Sequence, residues 1–95
     1  MPARKIPRPF EMHWGRGQVV EEAAYLGEYH ESVIQLMEYD DPEHAGEVTL
    51  RFCSYSPRGA FLRSPLMVGP QDLEGLRLAL RSTPRLREVL RRLVE

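Results

Sequence analysis

The spacing of apolar residues changes period at Gly69-Pro70, and that change constrains the fold more than any other feature of the chain. Before it, Glu47 to Tyr55 alternates, with Val48, Leu50 and Phe52 on one side and Thr49, Arg51, Cys53 and Tyr55 on the other. That is the period of a strand with two different faces. After it, Leu73, Leu76 and Leu80 fall at i, i+3 and i+7, and Leu86, Val89, Leu90, Leu93 and Val94 at i, i+3, i+4, i+7 and i+8. Those spacings put an apolar stripe along each of two helices. Each helix has proline where its first turn begins, Pro70 and Pro84, a position that tolerates the missing N–H.

Ahead of the alternating strand, Val33 to Tyr39 is short, β-branched at its start and bounded by turn residues, which predicts another strand. Val19 to Leu26 fits either a strand or a helix, since it mixes alternation with Ala and Glu, and it reads best as the hairpin mate of 33–39. Residues 40–46 read as a loop with Pro42 and Gly46. After the turn Ser56-Pro57-Arg58-Gly59, a fourth strand starts at Ala60. Pro65 makes it an edge strand, or one that breaks and resumes at Leu66-Met67-Val68. Residues 1–17, with Pro2, Pro7, Pro9 and Gly15-Arg16-Gly17, read as a flexible basic arm. The expectation is a single α+β domain over residues 18–95, a four-stranded antiparallel β-meander followed by two short C-terminal α-helices.

Ninety-five residues bury only about 60–65% of the surface that the unfolded chain exposes, so one core is modest and homodimerisation would help it. No apolar run approaches the roughly 20 residues of a membrane span, so no membrane association is expected. The start of the chain lacks the apolar stretch of a secretory signal. Cys53, the single cysteine, leaves no internal disulfide, and a cytoplasmic location is the expectation.

The net charge of −1 hides a segregation. Residues 1–18 hold Arg4, Lys5, Arg8 and Arg16 against Glu11. Residues 19–50 hold nine acids and neither Lys nor Arg. Residues 51–69 hold Arg51, Arg58 and Arg63 with no acid, and the last 26 hold six arginines against four acids. Such a chain folds into a molecule with distinct acidic and basic surfaces.

Little in the sequence points to catalysis or to a cofactor. Glu38, Asp40, Asp41, Glu43 and Glu47 lack the ligand spacing and central glycine of a calcium loop. His13, His30 and His44 lie in three separate turns, with no pair at metal-ligand spacing. Cys53 sits mid-strand beside Phe52, the place of a structural thiol rather than an activated nucleophile. Glu28, His30 and Glu31 could do acid–base work in one turn, yet nothing else in sequence converges on them. The expectation is a protein that is not an enzyme and takes no metal.

Arg51, Tyr55, Arg58, Phe61 and Arg63 form the main candidate binding face. Arginine offers phosphate contacts and stacking planes, and aromatic rings offer base stacking. The stretch Val48-Thr49-Leu50-Arg51-Phe52-Cys53-Ser54-Tyr55, the turn with Pro57 and Gly59, and Leu66-Met67-Val68-Gly69-Pro70-Gln71-Asp72-Leu73 resemble a family. It is that of the single-stranded-DNA-binding transcriptional coactivators (positive cofactor four) and the whirly proteins. The resemblance covers about a third of the chain. It implies a dimer packed partly through its helices, whose curved sheets grip single-stranded nucleic acid through Arg51, Tyr55, Arg58, Phe61 and Arg63. Arg4, Lys5 and Arg8 would extend the contact along the phosphates. The sequence departs from the family where Arg63-Ser64-Pro65 replaces its Lys-Gly, in its acidic early strands, and in its extra helix 84–94. The other reading is a protein-interaction or assembly module that docks through Leu86, Val89, Leu90 and Leu93.

Overall fold

The computed structural model describes residues 4–62 and 65–95. Five strands form one antiparallel sheet in sequence order: β1 (Arg8–Met12), β2 (Gly15–Leu26), β3 (Glu31–Tyr39), β4 (Val48–Tyr55) and β5 (Leu66–Val68). Two helices follow, α1 (Pro70–Ala79) and α2 (Pro84–Val94), joined by a 3-10 turn over Leu80–Ser82. The α+β class, the meander and both helices agree with the sequence reading. The number of strands does not.

The extra strand is β1, which replaces most of the expected arm. Its register is Arg8↔Val19, Phe10↔Gly17 and Met12↔Gly15. An edge strand tolerates Pro9, because one side of it makes no ladder. Gly17 supplies the second reason. A Cβ there would overlap the Glu38 carbonyl oxygen, so glycine allows β2 and β3 to close tightly. Phe10 sits over that gap, its ring 5.4 Å from Tyr39 and edge-on to it.

Residues 19–26 are strand, paired with β3 from Gly17↔Tyr39 to Leu26↔Glu31, with an irregularity between Val19 and Glu21. The break foreseen at Pro65 is present. Phe61 makes a single bridge to Tyr55, and pairing resumes at Leu66–Val68 against β4. Gly46 and Gly59 take φ of 87° and 90° in the two loops flanking β4, backbone conformations that side chains disfavour.

Helix α1 starts where Gly69 donates its backbone N–H to the Asp72 carboxylate at 3.2 Å. No α1 residue is buried, and the same holds for α2. Isolated helices of ten or eleven residues are marginal in water, because about 12–15 residues are needed before propagation outweighs nucleation. These helices therefore depend on a surface that covers them.

Candidate functional site

The sheet has two unlike faces, one enclosed and mixed in polarity, the other more apolar and more open. On one face lie Glu31, Val33, Gln35, Met37 and Tyr39 of β3, all buried. Register places Arg51, Cys53, Tyr55 and Thr49 of β4 beside them, with Glu22 and Val19 of β2 on the other side. The opposite face carries Ala23, Ile34, Leu36, Leu50, Phe52, Leu66 and Val68, of which Val68 is buried, Ile34, Leu36 and Leu50 are half-buried and the others exposed. Phe52 is 36% exposed and Leu66 59%. The enclosed face joins apolar core residues to a polar network, and the more apolar face is the more open of the two.

The enclosed face is held by one connected network. Gln35, with no solvent exposure, donates from Nε2 to Glu22 Oε1 at 2.7 Å and to the Tyr55 hydroxyl at 3.2 Å. Its Oε1 accepts from Arg51 Nε at 2.6 Å and from Cys53 Sγ at 3.5 Å. A carboxylate only accepts and a guanidinium only donates, so these partners allow the Gln35 amide one orientation. Glu22 also takes Arg8 at 2.6 Å and Arg4 at 3.4 Å. Arg4 pairs with Glu31 as well, and its guanidinium lies 3.5 Å from the centroid of the Tyr55 ring. Among the described residues, no buried side-chain nitrogen or oxygen lacks a partner.

Burial pushes the Glu22 carboxyl up. Hydrogen bonds from Arg8 and Gln35, with the charges of Arg8 and Arg4, outweigh it and hold the group below its ordinary range. Burial pushes the Cys53 thiol up, only partly offset by Arg51. A thiol of raised pKa that donates to an amide oxygen is a poor nucleophile.

A second polar cluster pins the loop between β3 and β4. Buried Asp41 accepts from the Arg16 backbone N–H at 3.2 Å and from His44 Nδ1 at 2.8 Å. Trp14 Nε1 donates to the Tyr39 hydroxyl at 3.3 Å, beside the His44 ring. The hydrogen bond to Asp41 raises the His44 pKa, and burial offsets it only in part. Among the described residues, no group of three His, Cys, Asp or Glu side chains is placed to hold a metal ion. None of their helices is long and apolar enough to cross a membrane.

The expected nucleic-acid residues do not form one open basic face. Arg4 and Arg8 are held by Glu22 and Glu31, Arg51 by Gln35, and Tyr55 is buried. Phe61 is exposed, with the Arg51 guanidinium 4.9 Å from its ring centroid. Lys5 and Arg58 are exposed and Arg63 lies outside the described residues. The expected interface residues are all open: Leu86, Val89, Leu90 and Leu93 are 52%, 58%, 38% and 61% exposed.

What the sequence reading missed is the open sheet face. Ala23, Tyr25, Ile34, Phe52 and Leu62 line an apolar groove on it, and Leu93 of α2 borders the same groove. Ile6 lies beside its continuation at Leu36 and Leu50. The alternation of β4 already separated these residues from the polar ones, so the signal was present in the spacing. Compared with family models, curated proteins and solved structures, the chain matches none.

Proposed function

We propose that this chain is a non-catalytic protein-assembly module that docks through the α2 stripe and the open sheet face. One observation carries the reading: Leu86, Val89, Leu90 and Leu93 form a continuous stripe on a helix with no buried residue, and Leu93 borders an apolar sheet groove where Phe52 is exposed and Ile34 half-buried. Exposed apolar patches of this extent mark interaction surfaces. Fully covering each of these aliphatic side chains is worth about 1.5–3 kcal/mol. Cys53, raised in pKa and hydrogen-bonded, fits a role without covalent chemistry.

Single-stranded nucleic-acid binding, the other expectation, draws less support. A phosphate backbone would have to displace Glu22 and Glu31 from Arg4 and Arg8, and stack on a Tyr55 already covered by Arg4. Lys5, Arg58 and Phe61 remain open to it.

A photo-reactive amino acid placed at Val89, on the stripe, tests the assembly reading against the same group at Arg91. Arg91 faces away from the stripe and is tied to Glu88 and Glu95. Irradiation of cells that make the protein is expected to yield a protein adduct from position 89 and none from position 91. Absence of any adduct from position 89 would overturn the reading.

A further inference from the structure

We infer that the occupant of this surface is a second copy of the chain, each copy laying its α2 stripe on the open Ile34–Leu36–Leu50–Phe52 face of the other. The inference rests on the assembly reading and names its partner.

The first support is area. The chain exposes 7479 Å², whereas a compact monomer of 11.0 kDa exposes about 5,600 Å². The excess, about 1,900 Å², is more than the roughly 800 Å² that each partner contributes to an interface of standard size. The radius of gyration is 14.7 Å, against about 12.4 Å expected of a compact chain of this length. Both helices are without a buried residue, and Phe52 and Leu66 of the sheet are exposed.

The second support is that one chain carries both halves of the contact. A foreign helix in the groove would leave α2 bare, and a foreign apolar surface over α2 would leave the sheet face bare. A two-fold pair of identical chains covers both at once, because an isologous interface uses each half twice. Leu93 already borders the sheet groove, so stripe and face form one continuous apolar surface that a two-fold can close on itself.

Charge is the third support. The helical period puts Arg85 and Arg92 on one flank of the stripe and Arg87 on the other. Among the described residues, the ion pairs of α2 involve only Arg91, Glu88 and Glu95, on the far side from the stripe. Glu21 and Glu38 stand exposed on the open face of the sheet. An α2 lying across that face brings the flanking arginines to those acids, which sets its orientation more than its affinity.

Sedimentation equilibrium of the full chain and of two variants, Leu90→Glu and Phe52→Arg, tests this. The wild type is expected at twice the 11.0 kDa chain mass, and each variant alone at the mass of one chain. Mixing the two variants is expected to restore the doubled mass. The mixed pair holds one native Leu90-to-Phe52 contact and one Glu-to-Arg contact, and the rescue also rules out misfolding as the cause of dissociation. A doubled wild type whose mixed variants stay monomeric would overturn helix-on-sheet exchange. A monomeric wild type would overturn the second copy; with a position-89 adduct to another protein, the assembly reading would stand without it.

Discussion

Gln35 and Glu22 meet side by side on neighbouring strands, the Gln35 amide donating to the Glu22 carboxylate at 2.7 Å on the enclosed face of the sheet. This contact joins the acidic stretch 19–50 to basic residues on either side of it in sequence, since Arg4, Arg8 and Arg51 all converge on the same two side chains. Part of the charge segregation of the sequence is thereby neutralised on the enclosed face. The other face of the sheet presents Ile34, Leu36, Leu50 and Phe52, with Glu21 and Glu38 among them.

Gln35→Leu keeps roughly the volume of the side chain and removes every partner of the network's centre. Arg51 loses its acceptor, and Glu22 and Tyr55 each lose a donor. The variant is expected to lose about 2–3 kcal/mol of unfolding free energy, the cost of leaving buried and charged groups unsatisfied. Urea unfolding followed by circular dichroism measures it. A change within a few tenths of a kcal/mol would mean that the network is not what closes this face.

Glu22 gives the fold an acid limit. Its folded carboxyl is held below the ordinary range, so the unfolded chain binds a proton more readily than the folded one. The stabilisation is complete above the ordinary glutamate pKa of about 4.3 and is lost as pH falls through the lower folded value. Melting temperatures across the acid range should therefore fall less steeply in Glu22→Gln than in the wild type, although the variant melts lower near neutrality.

His44 works in the opposite direction. Its folded pKa is raised by Asp41, so the tie between loop and sheet is fully present below the ordinary histidine value of about 6.5 and weakens as pH rises through the folded one. An NMR titration of the imidazole should give a midpoint above that of an unfolded-chain peptide. Asp41→Asn should bring the midpoint down; an unchanged midpoint would dissociate the two groups.

Gly17→Ala places a Cβ against the Glu38 carbonyl oxygen, and backbone cannot yield as a flexible side chain would. Separation of β2 from β3 beneath Phe10 is expected to cost about 2–3 kcal/mol. Gly75→Ala meets open space in α1 and serves as the control. Replacing that helical glycine should stabilise the chain by about 0.5–1 kcal/mol.

Much of this architecture was legible in the sequence because it is local. The period change at Gly69-Pro70, the alternation of Val48–Tyr55 and the helix starts at Pro70 and Pro84 each need only neighbouring residues. Strand β1 was missed because Pro7 before it and Pro9 within it argue against regular structure, while the glycine that makes room beside it, Gly17, belongs to the next strand. The two faces of β4 were legible as well, but alternation does not say which face is covered. That depends on Glu22, Gln35 and Arg51 satisfying one another across three strands, a condition set by register. For the same reason, Arg4, Arg8, Arg51 and Tyr55 read as an open basic–aromatic surface in sequence and take part in an enclosed network in the fold.

The central claim is that α2 of one copy lies on the sheet of another, and an isotope-filtered NOE experiment tests it most directly. In an equal mixture of labelled and unlabelled chains, cross-peaks are predicted from the Leu90 methyl groups of the labelled copy to the Phe52 ring of the unlabelled one. If the Leu90 methyls give no contact to the unlabelled copy while the mixture is at its assembled mass, the account of this interface is contradicted.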